Sequence, residues 1–144
     1  MNSARKTPGS AYVLDRQVGF LLRRANQRHL ALFAAAIPDL TPTQFAALAR
    51  LCEMGQISQN ALGRATSMDA ATIKGVVDRL RRRGLVVSTP DPEDQRRVQL
   101  APSAAGRAAF EGLAERAERI SRDTLAPLSS QERRAFLALL SRLV

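Results

Sequence analysis

Apolar residues recur along most of this chain at helical intervals and along one short stretch at alternate positions, and that change of period divides it into elements. After Ser10, the positions Leu14, Val18, Leu21, Leu22, Ala25, His29, Leu32, Phe33 and Ala36 keep to one helical face, which predicts a long first helix over 10–37, stopped by Pro38. Thr41-Pro42-Thr43-Gln44 places a capping hydroxyl, a proline at the first helical position and a glutamine three residues after the cap. That combination opens a second helix through Phe45, Leu48 and Leu51 to Gly55. Ser58 caps a short third helix over Ala61, Leu62 and Ala65. Asp69 caps a fourth, whose Ile73, Val76, Val77 and Leu80 form the inner face before Gly84 ends it.

The period then falls towards two. Leu85 to Thr89 and Arg96 to Leu100 read as extended runs joined by the turn-rich PDPEDQ, a hairpin. Ser103 resumes helix through AAGRAAFEGLAERAERISRDTL, and Ser129 with Glu132 makes a capping box for the last helix, QERRAFLALLSRLV. Residues 1–9 read as a disordered arm. The fold class is therefore mainly α with a small β-hairpin wing. A short helix, a tight turn, a basic second helix and a basic hairpin make a winged helix-turn-helix lobe over 40–102, in which the second helix of the pair enters the major groove and the hairpin reaches the adjacent minor groove. The helices at 10–37 and 103–144 carry more Leu- and Ala-rich stripe than that lobe can cover, so they are expected to pack on a second copy as a two-fold homodimer.

Composition narrows the function more than the fold. With 144 residues, 45% hydrophobic and 24% charged, the chain suits one globular domain that needs no disulfide or metal staple. The longest apolar run, Leu30 to Ile37, is far too short to span a bilayer, and MNSARKTPGS has no apolar h-region after Arg5 and Lys6, so a cytoplasmic protein is expected. The single Cys52 reads as a small half-buried hydrophobe. One His, one Cys, no metal-ligand spacing, no glycine-rich phosphate loop and no nucleophile elbow leave an enzyme without parts, and no cofactor or metal is expected. The glutamates Glu111, Glu115 and Glu118 lie among arginines at helical spacing, the lacing of an exposed face. The net charge of +9, with all but Lys6 and Lys74 of the 22 bases being arginine, points to a polyanion, which double-stranded DNA supplies.

From about Leu40 to Gly106, through LTPTQFAAL, SQNALGRATSMDAATIKGVVDRLRRRGLV and DPEDQRR, the sequence resembles the MarR family of bacterial transcriptional regulators. It departs from the family pattern at Gln95, Ser88 and Pro102-Ser103, where arginine, arginine and Leu-Thr are usual, which implies fewer phosphate contacts near the wing. The resemblance implies a ligand-responsive regulator, in most members a repressor, on a palindromic operator. It also implies that Arg96 enters the minor groove while Asp94 ties back to it. On the residues' own chemistry, Ser58 and Gln59 at a helix start suit a phosphate. Ala70, Ala71, Thr72, Lys74, Gly75 and Asp78 face away from the apolar side of the fourth helix, so that Thr72 and Lys74 can meet base edges or phosphates and the alanines thymine methyls. Gly75 in mid-helix implies either close approach of DNA or a packing contact. Arg79 is the expected phosphate contact of that helix, Arg81 to Arg83 being either contacts or a solvated helix end, and Arg96 and Arg97 are the candidates on the wing.

Family members commonly hold a phenolic or aromatic carboxylate between the DNA-binding lobe and the dimerisation helices. Tyr12, Arg16, Gly19 and Arg23 are spaced to share one face of the first helix, with His29 further along, and an arginine there can pair with a carboxylate. Alternatively Arg16 is a surface residue and His29 a hydrogen-bonded core or interface histidine. Two other readings stay open. A protein that coats DNA without an operator uses the same arginines, and a thiol-based oxidant sensor would use Cys52.

Overall fold

The computed structural model describes residues 11–144; the expected N-terminal arm and the Ser10 cap lie outside them. A single 3-10 turn at Leu14–Arg16 precedes α1 (Val18–Ala36), α2 (Pro42–Met54), β1 (Ile57–Ser58), α3 (Gln59–Ala65) and α4 (Ala70–Arg82). β2 (Val86–Pro90), β3 (Val98–Pro102), α5 (Ala104–Thr124) and α6 (Ser130–Ser141) complete the order. Five helix starts are where their side-chain oxygens dictate. Ser58, Asp69 and Ser103 accept from the backbone N–H three residues on, and Thr41 does so reciprocally with Gln44. Ser129 and Glu132 close the second capping box, at α6.

The core sits in the lobe. Leu48 and Leu51 of α2, Leu62 of α3, Ile73, Val77 and Leu80 of α4 and Leu100 of β3 are fully buried together. Phe33 and Ile37 from the end of α1 and Ile120 from α5 close it from above. The start of α5 is bolted to the base of the wing: Ser103 donates its hydroxyl to the Gly84 carbonyl at 2.6 Å and its N–H to the Leu85 carbonyl at 3.0 Å. A Cβ on the buried Gly106 would lie 2.0 Å from that same Leu85 oxygen, so no side chain fits between α5 and the wing.

Three expectations are corrected. The first helix starts later than expected, at Val18. Gln17 is extended (φ −85°, ψ 133°) and its side-chain amide bonds back to the Val13 carbonyl. Tyr12, Val13 and Leu14 are exposed and rest on no core, so their apolar spacing has nothing to order a helix against. The wing strands are shifted, with Val86 opposite Pro102 and Pro90 opposite Val98. The prolines are tolerated because each ends its strand. Arg96 and Arg97 belong to the turn, because their N–H groups are claimed by the Asp94 carboxylate and carbonyl. Finally, the sheet has a third strand, in the order β1-β3-β2 and antiparallel throughout. Two residues are too short for alternation to reveal it.

Candidate nucleic-acid interface and ligand crevice

α3 and α4 are joined by a tight turn in which Ser67 adopts a left-handed conformation (φ 55°) and the Met68 N–H returns to the Gly63 carbonyl at 2.8 Å. α4 buries Ile73, Val76, Val77 and Leu80 and leaves Ala70, Ala71, Thr72 and Lys74 exposed at its N-terminal half. Two of these polar groups are already engaged. The Lys74 ammonium meets the Asp78 carboxylate at 3.1 Å, an exposed i,i+4 pair. Hydrogen bonds from the Thr72 backbone and side chain hold the Asp69 carboxyl below its usual range. Gly75 has no packing reason: a Cβ there would meet only an Arg79 nitrogen, at 3.9 Å.

Further along, Arg79, Arg82 and Arg83 line a crevice of about 950 Å3 against the end of α1 and the start of α2. Arg83 stays exposed but is tethered, its guanidinium donating to the Asp39 carbonyl in the α1–α2 loop. On the wing, Asp94 does not hold the Arg96 guanidinium. Its carboxylate accepts from the Arg96 backbone N–H at 3.0 Å and lies 3.8 Å from Nε of Arg97. Asp91 braces the same turn, accepting from Glu93 N–H at 2.9 Å and the Gln99 amide at 3.2 Å, bonds that pull its carboxyl below the usual value. Ser58 and Gln59 face the wing arginines across a shared hollow, which also includes Asn60 and Arg64. The sequence reading missed those two, although their spacing of four on α3 places both on its outer face.

The effector candidates separate. Tyr12 and Arg16 precede α1 and Arg23 lies on it, so the expected continuous face does not form. The Arg23 guanidinium sits 5.4 Å from the centre of the Phe20 ring. His29 lines a crevice of about 460 Å3 between α1, α2 and α5, with Phe33, Phe45, Phe110 and Ile120; Tyr12, Arg16 and Arg23 do not line it. Phe45 contacts both other rings, at 6.1 and 5.9 Å between centroids. Thr124 donates its hydroxyl to the Ile120 carbonyl at 2.8 Å, so at 2.9 Å from Nδ1 of His29 its oxygen accepts that ring's N–H. In the tautomer with its proton on Nδ1, the ring keeps Nε2 as an acceptor. Sequence spacing offered no route to Phe110 or Thr124, since both come from the distant α5.

Residues 40–98 match the sequence model of the MarR family. The HTH-type transcriptional repressor NicR of Pseudomonas putida is 41% identical over 150 aligned positions, covering 99% of this chain and 95% of NicR. The chain belongs to the MarR family. Among solved MarR-like structures, a probable transcriptional regulator from Pseudomonas aeruginosa is 56% identical with a TM-score of 0.90, covering 92% of this chain and all of that one. BpsR of Bordetella bronchiseptica, described with the regulation of its DNA binding by 6-hydroxynicotinic acid, is 40% identical with a TM-score of 0.89, covering 93% and 97%. The MarR assignment makes this protein a DNA-binding transcriptional regulator, with α3 and α4 as its helix-turn-helix and β2 and β3 as its wing. Among the described residues no helix is long and apolar enough to cross a membrane, and no three His, Cys, Asp or Glu side chains gather as a metal site.

Proposed function

We propose that the protein is a homodimeric, cytoplasmic repressor that grips a palindromic operator and releases it when a small hydroxylated aromatic or heteroaromatic acid enters the α1–α2–α5 crevice. The observation that carries this reading is the crevice itself. It joins a helix of the expected dimer interface to the lobe that holds α4, and it offers three aromatic rings and the His29 acceptor. A crevice of about 460 Å3 that sets His29, Ser121 and Glu118 among aromatic rings suits a single flat ring that brings a hydroxyl or ring N–H donor. The likeness to BpsR, whose DNA binding 6-hydroxynicotinic acid regulates, and to the repressor NicR supports the same ligand class and the same sign of regulation.

Occupation of the crevice acts on DNA by preferring a dimer whose two α4 helices no longer match successive major grooves, about 34 Å apart. In this reading Ala70, Ala71, Thr72, Lys74 and Gly75 face the major groove, Arg79 and Arg97 meet phosphates, and Arg96 enters the minor groove. Ser58 and Gln59 fix the lobe on the backbone, and Asp94 shapes the wing turn. Tyr12, Arg16 and Arg23 take part only where the exposed stretch before and at the start of α1 meets the ligand across the dimer.

Calorimetric titration with 6-hydroxynicotinate tests the assignment. The wild type is expected to bind and His29→Ala to bind about tenfold more weakly, the loss of one hydrogen bond. Equal affinities would remove His29 from the site, and no binding by either protein would remove this ligand class.

A further inference from the structure

The short strand β1 brings together groups from distant parts of the chain. Its pairing with β3, Ile57 with Leu100 and Ser58 with Gln99, lays the first turn of α3 beside the closing end of the wing. Between them is a hollow of about 320 Å3 whose polar lining comes from Ser58, Gln59, Asn60, Arg64, Arg96 and Arg97. Three arginines, one from α3 and two from the wing turn, thus line one hollow. Among the described residues no carboxylate lies within ion-pair distance of Arg64 or Arg96, and Asp94 approaches only Nε of Arg97, at 3.8 Å. Ser58 Oγ accepts the Ala61 N–H at 3.2 Å, which leaves its own O–H to donate. The hollow therefore presents a surplus of donors and of positive charge to one oxyanion.

Its position selects the anion. In the proposed DNA complex α4 occupies a major groove and the wing the neighbouring minor groove, and the sugar-phosphate strand that separates those grooves has to cross between α3 and the wing. We infer that Arg64 and Arg97 grip one backbone phosphate of that strand together, and that this shared phosphate sets the angle of the wing to the helix-turn-helix. The inference rests on the DNA-bound reading above. Arg64 is a positioning residue here: it carries no base information and acts by anchoring the phosphate that the wing also holds.

Salt titrations of DNA affinity test it, with wild type, Arg64→Ala, Arg97→Ala and the double variant on both the operator and scrambled DNA. One phosphate contact contributes about 0.9 to the slope of log K against log salt, or about fivefold in affinity at 0.15 M salt. Each single variant is expected to lose up to about fivefold on both DNAs, and the double variant to lose about one slope unit in total. Slope losses that add to about two would assign the arginines to separate phosphates, and wild-type affinity in Arg64→Ala would remove Arg64 from the interface; either result overturns the inference. Arg64→Gln, which keeps the side-chain stem, gives the same readout if the alanine variant melts early. A wild type that binds operator and scrambled DNA equally would instead defeat the regulator reading, and the shared-phosphate test would still be decided on scrambled DNA.

Discussion

Arg96 sits in the wing turn with its backbone N–H bound to Asp94 and its side chain exposed, so nothing in the fold depends on its guanidinium. Arg96→Ala is expected to weaken operator binding by ~1 to 3 kcal/mol while the melting temperature stays unchanged. Operator affinity equal to wild type at physiological salt would take Arg96 out of the interface. Gly75 poses the opposite case. Because a methyl group there meets only the end of Arg79, Gly75→Ala should stabilise α4 by up to ~1 kcal/mol through helix propensity. The same methyl stands where DNA is proposed to approach, so the variant should melt higher and bind the operator less well. A higher melting point with undiminished binding would place Gly75 away from DNA. Cys52 is half-buried and free, and burial pushes its thiol up, with Arg107 drawing it down less strongly. A thiol held in its protonated form is a poor oxidant sensor, which favours the packing role.

At the scale of elements, the joint between α5 and the wing is the most sterically determined contact in the lobe. Gly106→Ala forces a Cβ against the Leu85 carbonyl, with no flexible side chain to give way. It is expected to cost ~1 to 3 kcal/mol or more and to lower the melting temperature even though Gly106 lies outside the proposed contacts; an unchanged melt would show that α5 can shift without penalty. The elements that the sequence announced are those whose signals are local. Thr41 with Gln44, Ser58, Asp69, Ser103, and Ser129 with Glu132 each satisfy backbone groups within three residues of themselves, and each opens its helix where the pattern placed it. What stayed hidden depends on distant partners. The start of α1 has no core beneath it, β1 exists only through its pairing with β3, and α5 supplies both Phe110 of the crevice and Thr124, the partner of His29. Arg83 belongs with these, since its use as a strut to Asp39 is invisible in a run of arginines.

On the scale of the whole molecule, the unfinished part is the end away from the wing. α6 buries none of its residues, and its Phe136, Leu139 and Leu140, with Leu143 just beyond it and Val18, Leu21, Leu22 and Ala25 of α1, line an apolar groove of about 540 Å3. A stripe of that kind marks an interaction surface, and we propose that a two-fold copy covers it and holds two α4 helices at the spacing of successive major grooves. Leu139→Asp is therefore expected to yield monomers by light scattering and to lose tight operator binding, and a persisting dimer would move the interface elsewhere. All of this meets in one measurement: fluorescence anisotropy at physiological salt with DNA from just upstream of the protein's own gene and with scrambled DNA, each with and without 6-hydroxynicotinate. The account predicts affinity for the first exceeding that for the second by ~10³ or more, relieved by the ligand. Equal binding to both DNAs would contradict it and leave a protein that coats DNA without reading it.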